Sequence, residues 1–597
     1  MNYLASLLIV LLSFQFCKGQ VVCSGVSPAS IAGNYSFSWG SPANTWGSPD
    51  FNIPGTYITG ELMLVDDGSL GNSTVSGVPL ANYGCGTLIN NLAGKIAVVY
   101  RYDGATPSTI CWMSEKALIA QNAGAIAVLI VNRPSAAGDI GTGGSTAAPN
   151  VTIPVVLVNF VDGEDLRAEM QNGPVTMFFG NKTGLFANDL ALNTNAALLA
   201  KKHFFPSVLA QNGTEYNFDL GARIYNPGNQ AQNDIVLNAT VKNPAGAIVY
   251  NNSSSSISLQ SNDSADVYPN TAILLPNFSL SSYPTGKYTL TYSAIIDGQI
   301  SNDEYASDNI ISFDFIISDS IYSVAKSDTV TGLPVGKLFY RPSENNQTYS
   351  ICSVISDPNA SRLAVDGLYF SALKGTAIPD DSLLAGEELS MYLYKWEDAF
   401  VDLNDPSFGF GSLSEVAQAY FYFENENQAG ETVYGAFDNP VALTDNDRYL
   451  ACVQTVNINV YFGHDNTNYD WNTNYYLQPI CPNESDGVYF VNGFGLDIPN
   501  ALGIKVSEST SSVAELSDFN VLAYPNPATD KLTLSSNKKG ANLFSFTDVS
   551  GKIVFSTQSE FIDNKIEFDI SNFQSGLYLV HVLNENGENT QFTVVKN

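Results

Sequence analysis

Gly94-Lys-Ile-Ala-Val-Val-Tyr-Arg101, then Cys111 to Asn122, then Ala125-Ile-Ala-Val-Leu-Ile-Val131 is the stretch whose pattern governs the fold of the N-terminal part of the chain. The two outer runs are apolar and rich in β-branched side chains, as strands buried on both faces are. Between them Met113, Glu115, Lys116, Ala117, Leu118, Ala120 and Gln121 favour a helix. Gly124 stands where a helix ends on a residue of positive φ, and Pro134 closes the second run. The pattern predicts a βαβ unit.

The chain around this unit has 597 residues, which predicts several domains rather than one core. Lys plus Arg total 26 against 58 Asp plus Glu, a net charge of −32. That balance speaks against nucleic acid as a partner, because gripping phosphates needs basic patches. Only 14% of residues are charged, below the roughly 25% of an average soluble protein, while 45% are hydrophobic and 12% aromatic. The surface must therefore be covered by Asn, Ser, Thr, Gly and Tyr, the make-up of secreted β-rich proteins. The same figures exclude a disordered chain.

Leu7 to Leu12, extended by Phe14 and Phe16, is an apolar run of about ten residues, too short to span a bilayer and matched to the core of a signal peptide. Cleavage after Gly19 is expected, so that residues 1–19 form the leader. A lipoprotein reading of Cys17 competes, although Phe16 occupies the position where a small residue is wanted. No later apolar run approaches the roughly 18 residues of a membrane span. Of the seven cysteines, Cys17 lies in the leader, leaving Cys23, Cys85, Cys111, Cys352, Cys452 and Cys481. They form no CxxC pair, which favours scattered disulfides in an oxidising compartment over a zinc ribbon. Cys23 and one of the last three are candidates for free buried thiols.

The residues Gly94-Lys95-Ile96, Cys111, Lys116-Ala117, Gln121-Asn122-Ala123-Gly124-Ala125 and Val151-Thr152-Ile153-Pro154-Val155-Val156, followed by Asp162-Gly163, resemble the protease-associated (PA) domain. The likeness covers residues 50–185, and with an N-terminal extension the domain is expected over 20–186. Cys85 and Cys111 flank the first strand-helix segment, and a disulfide between them is the expected pairing. The resemblance implies recognition rather than chemistry, since PA domains serve as protein-interaction or substrate-gating modules on secreted and membrane proteins. The Gly-, Ser- and Ala-rich loop Ser135 to Asn150 could rim a ligand groove or simply connect.

Residues 187–204, rich in Ala and Asn, are expected as a linker or short helix. Beyond them, Phe218 to Ile224, Ile235 to Val241 and Gly286 to Tyr292 alternate between turns such as Asn226-Pro-Gly228. This predicts an immunoglobulin-like β-sandwich over 205–322. Residues 325–508 continue the pattern with strands expected at 337–340, 349–355, 362–370, 389–396, 419–423, 449–456 and 488–491, a jelly-roll-like sandwich. Within it Tyr461 to Tyr476 interleaves aromatics with Asn and Asp. Such a stretch could stack on sugars or could be Asn-rich turns with rings tucked into an edge. The acidic loops Asp303-Glu304 to Asp308 and Thr444 to Asp447 could hold Ca²⁺, the one cofactor the sequence suggests, or be solvated turns.

After a low-hydrophobicity linker at 509–518, the segment 519–597 alternates in short strands whose turns are written with Pro, Gly, Asn or Asp. Its Pro525-Asn526-Pro527, Asp548-Val-Ser-Gly551-Lys552, Gly576-Leu-Tyr578 and Lys596 are similar to the type A C-terminal sorting domain of the type IX secretion system. The resemblance implies a Bacteroidetes-type bacterium, export in two steps with the type IX machinery as partner, and a secreted or cell-surface location. Release or anchoring to surface polysaccharide would follow. The whole is a mainly β, multidomain chain: an α/β PA domain, Ig-like and jelly-roll-like sandwiches, and a small C-terminal sandwich.

The three histidines are His203, His464 and His581. None has a second His four residues on, so the zincin motif His-Glu-x-x-His is missing. The sequence also holds no Gly-x-Ser-x-Gly elbow. A Ser-His-Asp triad would need His203 or His464, and His464-Asp465 point opposite ways if both lie on a strand. A glycosidase leaves no short motif, because its two carboxylates sit wherever the fold puts them. The expectation is therefore a non-catalytic exported binding protein with an unidentified protein or glycan ligand and no catalytic residues. The alternative is an exported hydrolase or hydrolase accessory protein with its site in 325–508.

Overall fold

The computed structural model describes residues 20–509 and 521–597 except 104–110, 135–143, 270, 297, 300, 301, 329, 337, 343–347, 376–382, 466, 494–498, 537–539 and 586–588. The expected leader 1–19, nearly all of the linker 509–518 and residues 135–143 of the Gly-rich loop lie outside the described residues. The chain divides into two compact units, one up to Glu508 and one from Ser509. No described helix is long and apolar enough to cross a membrane.

In the first unit the βαβ stretch forms the strands Ile96–Tyr100 and Ala127–Val131 around the helix Met113–Asn122. The strands Tyr57–Leu64, Ile96–Tyr100, Ala127–Val131 and Val155–Val158 are neighbours in parallel within an eight-stranded sheet. Alternate residues feed two cores. Ile96, Val98, Leu129 and Val131 point to one face, and Ala97, Val99, Val128 and Ile130 to the other. That is why both runs read as continuously apolar. Each fully buried Val, Leu or Ile contributes about 1.5–3 kcal/mol. Ala117 and Ala120 seat the helix Met113–Asn122 on one face, while Leu166 seats the helix Phe160–Met170 on the other. Gly163 makes that second approach close: a Cβ there would stand 2.2 Å from Val131 Cγ1.

The segment expected as linker or short helix is a strand, Ala191–Ala197, and this corrects the sequence reading. Its Ala content favours helix, but Leu190, Leu192, Ala196 and Ala197 are buried while Thr194 and Asn195 face solvent. Pairing with Ala222–Asn226 satisfies its backbone. Tertiary burial overrides local propensity here.

A twelve-stranded sheet then runs through the whole of 204–508. Ile310–Ser318 pairs in parallel with Phe204–Pro206, which meets Ile321–Ser323; that strand pairs with Gly503–Glu508. The sheet is thus continuous across residues 322–325, and one hydrophobic core extends from Leu190 to Val506. A second sheet of six strands packs on it, in the order Leu413–Tyr422, Glu388–Trp396, Arg448–Thr455, Tyr349–Ser356, Asn483–Ser485, Val488–Phe490. Thr432–Ala442, Val460–His464 and Gly503–Glu508 are strands that the sequence pattern did not announce.

The second unit is a sandwich of a three-stranded and a four-stranded sheet, closed on Leu532, Leu534, Phe544, Phe546, Phe568, Val580 and Val582. The molecule as a whole is mainly β and multidomain.

Candidate functional site

Parallel strands bring their carboxyl ends to one edge of a sheet, the usual ligand edge in open α/β sheets. Here those ends lead into Arg101, Asn132-Arg133-Pro134 and Asn159. Asn132 Oδ1 accepts from Arg101 Nη1 and from the Arg133 backbone N–H, both at 3.0 Å. Burial and the neighbouring Arg133 charge both lower the Arg101 pKa. Asn159 caps the helix Phe160–Met170, its Oδ1 accepting from the Asp162 N–H at 2.8 Å. Just past Arg101, Asp103 accepts from the hydroxyls of Ser73, Ser76 and Tyr83 at 2.6–2.7 Å.

Asn132, Arg133, Asn159 and Asp162 form one wall of a cleft of about 1580 Å³. The opposite wall comes from the sandwich part of the same unit, including Thr194, Lys202, His203, Asp314 and Ser327. Arg133, Lys202, Lys287 and Lys326 outnumber Asp162, Asp314 and Asp328 around it. In a chain of net charge −32 this is a local reversal. Lys202 is buried; its Nζ donates to the Val354 carbonyl at 3.2 Å and lies 5.2 Å above the Tyr322 ring. Burial pulls its ammonium down to about 8.

His203 and Ser327 face each other in this cleft with Nε2 to Oγ 3.4 Å, a pairing that invites a nucleophile-base reading. The Ser327 backbone N–H, however, donates to the same Nε2 at 3.1 Å. Burial lowers the imidazole to about 4. A general base needs a free lone pair and a pKa near the working pH, and this ring has neither. His464 Nε2 instead meets Tyr349 Oη at 3.2 Å. The adjacent Asp465 accepts from the Lys326 N–H and the Thr467 hydroxyl, so the neighbouring pair serves two separate networks. Among the described residues no three His, Cys, Asp or Glu side chains are grouped to hold a metal ion.

Disulfides join Cys85 to Cys111 and Cys352 to Cys452, while Cys23 and Cys481 are buried thiols. Burial pushes the Cys481 thiol up to about 12. Beside the first bridge Lys116, itself buried, donates to the Tyr83 carbonyl and lies 3.4 Å from Cys85 Sγ. Gln121 Oε1 accepts from the backbone N–H groups of Thr152 and Ile153 at 2.7 and 3.2 Å, tying the helix to the Thr-Ile-Pro element.

In the first acidic loop the Lys182 ammonium sits between Asp189 Oδ1 at 2.5 Å and Asp308 Oδ2 at 2.8 Å, over the Tyr305 ring at 4.2 Å. A side-chain cation thus pairs with Asp308, one carboxylate of the loop the sequence offered to Ca²⁺. Asp303 and Glu304 accept from backbone N–H groups of Leu190, Ala187 and Asn188. In the second loop Asp445 accepts from the Ser361 N–H and Asp447 pairs with Lys395. The aromatic stretch 461–476 is spent on internal contacts. Tyr469 is buried and donates to the Val324 carbonyl, Asn472 brackets the Leu199 backbone, and Trp471 and Tyr475 set their edges against Tyr268.

In the second unit, Asn526 between Pro525 and Pro527 accepts from the Val595 N–H and donates to the Thr593 carbonyl, both at 2.8 Å. Gly551 turns the hairpin at φ 84°. Gly576 stands opposite Lys596 in the register of the last two strands. Tyr578 Oη donates to the Gln574 carbonyl at 2.8 Å. These residues build the sandwich ends. His581 lies opposite Ser545 and Gln591 on the same sheet.

Two family models match: the PA domain over residues 47–166 and the Secretion system C-terminal sorting domain over 522–596. No curated protein matches. Among solved structures, an aminopeptidase from Aneurinibacillus sp. strain AM-1 is similar at 20% identity over 27% of this chain and 30% of its own, with a TM-score of 0.17. BSAP, a zinc aminopeptidase from Bacillus subtilis, is similar at 23% identity over the same shares, 27% and 30%, with a TM-score of 0.17. A Ruminococcus gnavus beta-glucuronidase is similar at 8% identity over 45% of this chain and 38% of its own, with a TM-score of 0.13. The chain thus spans about 30% of the length of the aminopeptidases, and likenesses of this size carry no argument about its activity. The chain carries a PA domain and a type IX C-terminal sorting domain, and is a secreted or cell-surface protein addressed to the type IX secretion machinery of a Gram-negative cell.

Proposed function

We propose that this protein is a binding protein that works outside the cell and holds an extended polypeptide segment in the cleft between its PA domain and its sandwiches. The observation that carries the reading is the size and lining of that cleft. Its volume of about 1580 Å³ exceeds the roughly 300–1,000 Å³ of small-molecule sites, and its cationic excess suits acidic side chains or a terminal carboxylate. The buried carboxylates of 325–508 favour binding over hydrolysis. Glu484 accepts from Thr348 and Ser350, Asp465 from the Lys326 N–H and the Thr467 hydroxyl, and Asp357 from the Asn359 N–H. Each is committed to structure rather than facing a partner carboxylate across a cleft.

The finer domain plan belongs to the same proposal: a PA domain with its extension over 20–186, an Ig-like sandwich over 205–322 enlarged by the strand Ala191–Ala197, a jelly-roll-like sandwich over 325–508, and a sorting sandwich over 519–597. The three-stranded sheet built on Ala191–Ala197 and Ala222–Asn226 at one end of the long sheet, and the six-stranded sheet at the other, support two sandwiches that share one core. After export the body is released or tethered to surface polysaccharide.

A peptide array probed with the purified chain tests the reading. Acidic, extended peptides should bind, and Thr194→Trp, which places an indole in the cleft from an exposed strand position, should weaken them about tenfold or more. Equal binding by that variant, or turnover of a peptide or polysaccharide by the wild type, would overturn it.

A further inference from the structure

We propose that Lys182 and Asp189 join through their side chains in an intramolecular isopeptide bond, with Asp308 as the carboxyl that moves the proton. Lys182 follows the strand Thr176–Asn181 of the eight-stranded sheet, and Asp189 precedes Ala191–Ala197, the first strand of the sandwiches. The turn between them is tied down at several points. The Leu185 N–H donates to the Lys182 carbonyl at 2.9 Å, the Gly184 N–H to the Pro227 carbonyl at 2.8 Å, and the Gly228 N–H to the Asp189 carbonyl at 3.3 Å. The chain doubles back, and two residues 7 apart in sequence meet side chain to side chain.

Lys182 Nζ lies 2.5 Å from Asp189 Oδ1 and 2.8 Å from Asp308 Oδ2. The Lys182 and Asp189 side chains are wholly out of water, and that of Asp308 is 9% exposed. Each carboxyl turns one oxygen to the amine, while Asp189 Oδ2 and Asp308 Oδ1 are buried with no hydrogen-bond partner. A buried ion pair built for stability has its remaining lone pairs satisfied. Two bare oxygens around one amine are what a reacting pair and its proton carrier leave. The Tyr305 ring covers Nζ at 4.2 Å and packs on Phe186 at 5.6 Å. Burial raises Asp189 to about 7 and Asp308 to about 6, so the neutral acid is accessible near neutral pH.

The structure holds the groups as they stand before the bond forms. In this dry site a proton passes from the ammonium to the Asp189 carboxyl, leaving a neutral amine beside a neutral acid. The nitrogen lone pair attacks Asp189 Cγ and forms the N–C bond. The Asp308 carboxylate takes the proton that Nζ sheds and returns it to the Asp189 hydroxyl, whose C–O bond breaks to release water. One amine and one carboxylic acid become one amide and one water, with no oxidant, metal or nucleotide needed. Fixed contact supplies the effective concentration, and the exclusion of solvent holds back hydrolysis. The amide N–H still faces Asp308, so Lys182 remains the partner of both carboxyl groups. None of the three residues lines the cleft; the bond closes the stretch of chain that joins its two walls and stiffens their connection.

Reductive methylation of the purified, folded and then denatured chain, read by peptide mass mapping, tests this. In the wild type the peptide carrying residues 182 and 189 should be lighter by one water, and Lys182 should escape methylation while Lys201 takes it. Asp189→Ala should leave Lys182 free to be methylated. Asp189→Asn should give a linked peptide of the same mass as the wild type, because it loses ammonia in place of water. Asp308→Asn, which keeps the shape of the side chain, should slow the appearance of the bond about a hundredfold or more, with a melting curve showing that the variant folds. The wild-type measurement needs no variant and does not depend on peptide binding in the cleft. The proposal is overturned if wild-type Lys182 is methylated as fully as Lys201, if the linkage maps to Asp308, or if folded Asp308→Asn forms the bond at the wild-type rate.

Discussion

His203 is held neutral by its surroundings, and that makes it a source of acid sensitivity. Its ordinary pKa of 6.5 falls to about 4 on folding because burial penalises the imidazolium. With the folded value depressed, the unfolded chain takes up the proton first; the stability present above 6.5 is lost as pH falls toward 4. From pH 7 to about pH 4.5 this one residue should cost about 2–3 kcal/mol. His203→Gln should show a correspondingly shallower fall of the urea midpoint across that interval. Lys182 poses the opposite case, a buried cation between Asp189 and Asp308. Burial raises those two carboxyls to about 7 and about 6 despite the neighbouring ammonium. Lys182→Met should destabilise the chain by about 3–5 kcal/mol near pH 8, because it strands two buried charges. The loss should shrink near pH 5, where the carboxyls take up protons, and thermal melts at the two pH values measure the difference. The acidic residues of this network are visible in the sequence. That Lys182, close in sequence to Asp189, also reaches Asp308 more than a hundred residues on is a matter of tertiary approach.

The helix Phe160–Met170 reaches the sheet through Gly163, and its N-terminal residues Phe160 to Asp162 line the cleft. Gly163→Ala should gain helix propensity yet destabilise the unit by about 1–3 kcal/mol, since the added methyl meets Val131 at 2.2 Å. Combining it with Val131→Ala should recover part of that loss, a positive coupling that a double-mutant cycle in denaturant would read; strict additivity would refute the contact. The strands of this region are legible because burial on both faces leaves unbroken apolar runs such as Ala125 to Val131. Ala191–Ala197 is illegible for the converse reason: its alanines carry a helical preference, and only pairing with the buried strand Ala222–Asn226 favours the extended form. The alternating strands between 349 and 455 stand out by their period, whereas Thr432–Ala442, with Gly435 and Pro440 inside it, carries breakers that mask its pairing with Leu363–Lys374.

The chain folds as two units, divided near residue 508, and the second has a closed core of its own. Ending the chain after Glu508 should therefore leave the melting temperature of the first unit unchanged within about 2 °C. Scanning calorimetry of the full and shortened chains would read this, and a shift of more than about 5 °C would show that the units depend on each other. Local sequence determined the two ends of this protein: the strand-helix-strand pattern and Thr-Ile-Pro element of the PA domain, and the turn residues of the sorting domain, both written in contiguous residues whose backbone geometry allows few alternatives. It also determined the β character between them, because alternation is a property of neighbours. Tertiary structure alone decided the merging of the two central sandwiches through Phe204–Pro206, Ile321–Ser323 and Gly503–Glu508, and the opposition of Arg133 and His203 across the cleft. Those meetings join residues tens to hundreds of positions apart, and only the shared core that brings their strands together fixes the register.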